Sequence, residues 1–534
     1  MNHDPTDEPA EEIALEASAV SDNSLGAEAA DDVATVARGG VVQIAGQISQ
    51  RGLAWIFTSV ASRVLGTAGY GVYRQVSQVL TIASQLGLAG FNYASMRFIS
   101  RARASGDHGG VRGAARFGVA AAGVGSFIAL GALLLLAEPF ARAFGDEGTD
   151  IDELAYLFRL GAAYIPLFCL MQVMRYSTQA YRTMVPSVVS GNIIQPVARF
   201  LLALGAFGLG FEVAGAISSL VISIGIGALA AALYFRRMLT AEELAAAPHV
   251  DRGAMVRFAL PQGGASMLGV QTLGIGIIIL GLYGSDFEVG VFGIALALQG
   301  PGSLFLGGIV NIWAPMVSDL YDRNAIDRLG SLYKTITRWV ATFSFPVFAA
   351  IILEPDLFAA ILAKPAGAAA AAPVAAILAA GNLFYTGTGP TGYVISMSGR
   401  PGINLINSVL AVALYVVLGV AVAEEHGAIG IAIVDACVTA LINSVRVLQA
   451  WYFVGVQPFG KSFLKPLVAT LGGAAILLTW RLIPGDSPAL EMAGIAVAGV
   501  GYLVMLRAFG LDPEERYVWQ MIAKKMPWRK KTQR

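Results

Sequence analysis

From about residue 41 to residue 507 the chain is a succession of mostly apolar stretches, each close to twenty residues long. A helix of that length covers the hydrocarbon core of a bilayer. Fourteen such spans are expected, near 41–65, 72–98, 116–137, 155–175, 187–208, 213–235, 257–282, 289–316, 334–353, 373–396, 403–422, 428–451, 465–483 and 488–507. Because no water in the core can satisfy a stray N–H or C=O, a chain of this kind folds as a helical bundle. The expected class is therefore an all-α integral membrane protein. Composition agrees, with 56% apolar residues, 13% charged residues and a mean hydropathy of +0.65, outside the soluble globular range.

The Lys and Arg residues crowd onto the loops that share a side with the N terminus, and few lie on the opposite side. Cytoplasmic loops retain positive charge during insertion, so both termini are expected in the cytoplasm and the span count is expected to be even. Residues 1–37 hold ten Asp or Glu and no Lys or Arg, the pattern of a disordered acidic tail. Residues 508–534 form a basic tail whose Tyr517, Trp519, Met526 and Trp528 suit a helix lying on an anionic leaflet. Cys169 and Cys437 fall inside spans and the four histidines fall outside them, so no disulfide, metal site or cofactor is expected. Nothing in this charge pattern points to nucleic acid.

The chain is also written twice. "LGTAGYGVYRQVSQVL" from Leu65 corresponds to "YGSDFEVGVFGIALAL" from Tyr283, with Gly71 over Gly290 at an offset of 219. Pro186 pairs with Pro401, Asn192 with Asn407 and Gly215 with Gly430, all at 215. Such matches in near register indicate duplication. Each copy holds six spans, and an even number makes the copies parallel, related by an axis along the membrane normal. Two pseudo-symmetric six-helix lobes around a central cavity are thus expected at 38–245 and 250–455, with two added helices at 460–507. In transporters of this plan, access alternates as the lobes rock.

Polar residues line particular helix faces. Gln43, Gln47, Gln50, Arg51, Thr58 and Ser62 share one side of the first span. Arg74, Gln78, Thr81, Gln85 and Asn92 share one side of the second, and Asn192, Gln195 and Arg199 one side of the fifth. A central Arg facing lipid costs about 2.5–3.5 kcal/mol even on the most lenient scale, so these faces should line water or a polar ligand. Arg51, Arg74 and Arg199, with Arg63 near a span end, give the first lobe a cationic interior. Guanidinium forks match phosphate or carboxylate oxygens. The expected substrate-binding set is Arg51, Arg74, Arg199, Gln47, Gln78, Gln85 and Asn192. Asp435 is the one acid well inside a span, and Arg446 follows it three turns later on the same helix; the pair is a candidate for ion coupling. "TGTGPTG" at Thr386 lacks the Lys and preceding strand of a phosphate loop and reads as a broken helix.

The segment "SRVLGTAGYGVYRQVSQVLTIASQLGLAGFNYASMRFISR", Ser62 to Arg101, resembles the polysaccharide-transporter branch, the Wzx-type flippases, of the multidrug, oligosaccharidyl-lipid and polysaccharide (MOP) exporter superfamily. Leu65, Gly66, Tyr70, Gly71 and Tyr73 occupy its turn positions. The resemblance implies a transporter, not an enzyme, that moves a polyprenyl-diphosphate-linked oligosaccharide across the bacterial plasma membrane for cell-surface polysaccharide biosynthesis. It further implies coupling to a proton or sodium ion, and association with polysaccharide-assembly membrane proteins. A cation-coupled multidrug antiporter of the same superfamily is the first rival. It would favour an acidic cavity, whereas no Asp or Glu lies between Asp32 and Asp107. A membrane-embedded glycan polymerase or ligase is the second, disfavoured by the short outer loops; a transport-inactive scaffold is the third.

Overall fold

The computed structural model describes residues 8–145, 148–267, 274–483 and 487–510. All regular structure among them is helical. The first half comprises α1 (Glu8–Leu88), α2 (Phe91–Ala104), α3 (His108–Phe144), α4 (Ile151–Gly161), α5 (Tyr164–Gln179) and α6 (Val185–Val188). A π-helical turn (Val189–Ile194), α7 (Gln195–Gly208) and α8 (Val213–Met238) complete it. A linker carrying α9 (Ala241–Ala245) leads to the second half: α10 (Arg252–Met267), α11 (Ile275–Tyr283), α12 (Asp286–Leu298), α13 (Gly300–Asp322), α14 (Ile326–Leu353), α15 (Pro355–Leu362), α16 (Pro365–Gly387), α17 (Thr391–Met397) and α18 (Pro401–Val454). Helices α19 (Leu464–Trp480) and α20 (Pro488–Ala508) are appended.

Among the described residues, nine helices are long and apolar enough to cross a membrane, or ten if α12 and α13, bent by 55°, form one span. Fourteen is not reached by that criterion, for structural reasons. α18 is 54 residues long and carries two of the expected spans across a break at Gly427 (φ 50°). α1, which holds two more expected spans across Gly66 (φ 75°, a backbone that glycine adopts without strain), is not among the nine, because the glutamines and arginines of its polar faces lower its hydropathy. The acidic segment expected to be disordered is helical in its backbone from Glu8. Ala and Glu are its commonest residues, and both are strong helix formers. The basic tail beyond residue 510 lies outside the described residues.

The linker is fastened to the first half throughout. Glu243, 2% exposed, receives Arg103 at 3.3 Å and the Tyr181 hydroxyl at 2.8 Å. Burial and that carboxylate push the Tyr181 phenol up from its ordinary pKa. Arg112 donates to the Ala246 carbonyl (2.8 Å), and His249 meets Asp107 at 3.1 Å. Met255 and Ala259 of α10 then bury themselves among Leu88, Phe91, Ala94 and Ala122. α10, grouped with the second lobe by sequence, therefore packs on the first.

At the opposite end of the bundle the two halves close against each other. A Cβ on Gly71 would overlap the Asp286 carbonyl, and one on Gly290 would overlap the Thr67 carbonyl. Residues 67 and 71 map onto 286 and 290 at the same offset of 219, so each half offers the other an equivalent surface. That reciprocity is the signature of a two-fold relation. Polar contacts complete the seal: Ser59 donates to the Ile361 carbonyl (2.8 Å), Gln75 to Asp286 Oδ1 (2.8 Å), Ser62 to the Leu362 carbonyl and Arg63 to the Ala360 carbonyl.

Candidate substrate path between the two halves

Arg51 sits where α1 faces the break between α12 and α13. Its Nη1 donates to the Gly300 carbonyl at 3.0 Å and to Ser303 Oγ at 2.8 Å. Gln47, one turn earlier on the same face, approaches Gly307 of α13 together with Arg51. The guanidinium thus adds its donors to a carbonyl and a hydroxyl in the first turn of α13. Hydrogen bonds to a charged group contribute about 1.5–3 kcal/mol each, enough to offset holding Arg51 in the interior. The residue therefore bridges the two halves.

The other expected site residues occupy separate settings. Arg74 lies against Gly293, its own repeat equivalent at the offset of 219, and its Nε has no hydrogen-bond partner. Arg199 turns into the first half, with its guanidinium 4.0 Å from the Phe57 ring centroid and donating to the Tyr73 hydroxyl. Both arginines lie within electrostatic reach of Tyr73. The structure thus assembles Arg74 and Arg199 around one buried tyrosine, while Arg51 engages the second half. Gln78 abuts Gly274, which has φ 55°. Gln85 is half-buried and Asn92 is buried with its Oδ1 unpartnered.

Asn192 is buried on the π-helical turn and accepts from Arg175 Nη2 at 2.8 Å. Its repeat counterpart Asn407 is also buried and exchanges hydrogen bonds with Gln449 at 2.6 and 3.1 Å. The repeated asparagines hold matching polar positions with unlike partners. Arg175 also donates to the Ser187 carbonyl (3.0 Å) and Gln172 (3.1 Å), so its fork satisfies groups freed by the irregular turn. Arg175 was missing from the expected set because it falls at a span end, where an arginine ordinarily belongs to the charged flank.

The second half contains a cleft of about 670 Å³ that draws Tyr93 from the first half into its wall. Gln262, Tyr393, Asn404, Asn443 and Arg446 are among the residues that line it. "TGTGPTG" forms one side. α16 ends at Gly387, Gly389 takes φ 67°, and α17 restarts at Thr391. Tyr333 closes the break from behind, donating to the Thr388 carbonyl (3.1 Å) and meeting Thr391 Oγ1 at 2.5 Å. Arg446 makes one long contact, to Ser408 Oγ at 3.4 Å, and its Nε is unpartnered. Asp435 hydrogen-bonds the hydroxyl of Tyr415, which also lines the cleft. Asp435 and Arg446 therefore border one polar region without pairing. Among the described lining residues none is acidic, and no cluster of His, Cys, Asp and Glu there could hold a metal ion. The signal for this wall was present in the sequence: Asn404 with Ser408, and Asn443 with Arg446, recur at helical spacing.

A family model described as "Polysaccharide biosynthesis protein" matches residues 36–321, more than half of the chain. The chain belongs to that polysaccharide biosynthesis protein family. The lipid II flippase MurJ of Bacillus subtilis (strain 168) is 26% identical over 198 residues, which are 36% of this chain and 36% of that protein. The match thus spans about a third of its relative. Among solved structures, an inward-facing multidrug-resistance MATE transporter of the MOP superfamily aligns with TM-score 0.62 at 15% identity, over 78% of this chain and 98% of the other. The lipid II flippase MurJ in an inward closed conformation aligns with TM-score 0.61 at 12% identity, over 85% and 98%. Those two likenesses establish the fold. This polysaccharide biosynthesis protein is a multi-pass membrane protein with the fold shared by those MATE and MurJ structures.

Proposed function

We propose that the protein is a flippase that carries a polyprenyl-diphosphate-linked oligosaccharide across the bacterial cytoplasmic membrane by alternating access. Both termini and the linker face the cytoplasm in this reading, following the distribution of Lys and Arg. The single observation that carries it is Arg51: a permanent cation held in the gap between the halves, next to a cleft whose described lining contains amides, hydroxyls and Arg446 but no acid.

The mechanism follows from that geometry. Arg51 holds the break of α12 and α13 through two hydrogen bonds that a diphosphate oxygen would compete for. Entry of the headgroup exchanges backbone and hydroxyl acceptors for an anion. The exchange loosens the tie between the halves at the moment the substrate is in place. Gln47, Gln78, Gln85 and Arg74 continue the polar face along α1. Arg199, locked on Phe57 and Tyr73, contributes positive potential from within the first half rather than contact. The prenyl chain stays in the bilayer; an apolar groove of about 320 Å³ between α14, α19 and α20 offers it a surface.

Asp435, bonded to Tyr415, is the proposed site of ion coupling. Its carboxylate touches the cleft wall through that hydroxyl, so its charge and the occupancy of the cleft are linked through a shared neighbour. Deletion of the gene, followed by analysis of which lipid-linked oligosaccharide accumulates on the inner leaflet, tests the function. Accumulation of a single polyprenyl-diphosphate glycan is the expected result. Unchanged lipid-linked pools with raised sensitivity to organic cations would favour the antiporter instead.

A further inference from the structure

Taken with the flippase reading, on which it rests, the second-half cleft says something about the glycan itself. Its walls are chemically uneven. Tyr385, Tyr393 and Tyr415 supply flat amphipathic rings, and Thr391, Asn404 and Asn443 supply hydroxyl and amide groups. Donors and acceptors that alternate around apolar ring faces are what sugar hydroxyls and pyranose faces require. The cleft volume of about 670 Å³ lies within the ~300–1,000 Å³ of ordinary ligand sites. A cavity built for organic cations would present carboxylates, and the described lining has none.

Among the described lining residues, the one permanent charge is that of Arg446. Arg446 has an unpartnered Nε and only a long contact to Ser408 through Nη2, while Asn404 Oδ1, beside Gly392, is also unpartnered. A guanidinium confined in this way is costly unless an oxyanion meets it, and its fork fits a carboxylate by two parallel bonds. Asp435 makes no ion pair with it, because the two lie eleven residues, about three turns, apart on α18.

We propose that this cleft is a glycan-headgroup subsite and that Arg446 reads a carboxylate on a sugar, so that the transported oligosaccharide contains a uronic acid or similar acidic residue. The oxyanion could come from the sugar or from the diphosphate; the sugar is favoured because the groups surrounding Arg446 are those that bind rings and hydroxyls, while Arg51 lies one turn of α13 from Val310 at the cleft wall and is placed for the diphosphate.

The test is calorimetry on the purified full-length protein in detergent with three probes: a disaccharide containing one glucuronic acid, the same disaccharide with neutral glucose in its place, and inorganic pyrophosphate. The acidic disaccharide is expected to bind at least about tenfold more tightly than the neutral one, the scale of a charge-assisted bond. Arg446→Gln should erase that preference while leaving neutral-sugar and pyrophosphate binding intact, and Arg446→Lys should restore part of it. An unchanged thermal unfolding midpoint shows that the Gln variant is folded. Equal affinity for both sugars, or a preference that survives Arg446→Gln, overturns the proposal. So does pyrophosphate binding that disappears with Arg446→Gln, which would assign Arg446 to the diphosphate. If pyrophosphate binding requires Arg51 while the sugar preference is absent, the flippase reading stands and this inference alone falls. Binding of organic cations with neither sugar nor pyrophosphate would remove both.

Discussion

Substituting Gly71 by alanine tests the closure of the bundle at the end remote from the linker. The added methyl would overlap the Asp286 carbonyl and come within 2.8 Å of its carbon and 2.9 Å of the Gly290 nitrogen. Those atoms are helix backbone, so the helices must part to accommodate it. Over-packing of this kind costs about 1–3 kcal/mol, and because the contact exists only while the halves touch, the cost falls on the closed state alone. The closed-to-open ratio should therefore drop by roughly 5- to 150-fold. Spin labels at Glu212 and Asp356, exposed positions on opposite halves at this end, report the change by double electron–electron resonance after the native cysteines are replaced. Gly71→Ala should add a longer-distance population, and Gly290→Ala should do the same because it meets the Thr67 carbonyl. Gly52→Ala, with nothing within 4 Å of the new methyl, is the control. If Gly71→Ala leaves the distance distribution unchanged, the reciprocal glycine contact does not hold the halves together.

Arg51→Ala should abolish glycan export while the protein still inserts, and Arg51→Lys should keep part of the activity because it retains charge without the fork; export assays normalised to membrane abundance decide both. Asp435→Asn should flatten the proton dependence of transport in vesicles, and an unaltered pH profile would exclude coupling there. Arg175→Met strips partners from the Ser187 carbonyl, Gln172 and Asn192. At about 1–3 kcal/mol for each buried group left unsatisfied, its thermal midpoint in detergent should fall measurably, and an unmoved midpoint would mean that water replaces the guanidinium.

The helical class and the two-lobed plan were legible because each rests on a regular signal: apolar length or a fixed offset. The Gly71–Gly290 alignment proved to mark the contact between the halves, since a conformational or packing demand that only glycine meets leaves its trace in sequence. The partners of the arginines were not legible. Arg51 and Arg199 look alike on their helices, yet one reaches Gly300 and Ser303 across the gap and the other stacks on Phe57 within its own half. That difference depends on which helices are neighbours, which local pattern does not encode. Arg175 was hidden for a related reason: an arginine at a span end reads as membrane-flank charge, whereas here the π-helical turn folds against it.

Translocation itself is the most direct measure of the account. The protein is reconstituted into liposomes whose lipid-linked oligosaccharide can be modified only on the outer surface by an impermeant enzyme. With wild-type protein, nearly all of the lipid-linked glycan should become accessible over time, against about half without protein, and Arg51→Ala should match the protein-free vesicles. Wild-type vesicles that stay at the protein-free level, across several acidic and neutral glycans and with an imposed ion gradient, would contradict it.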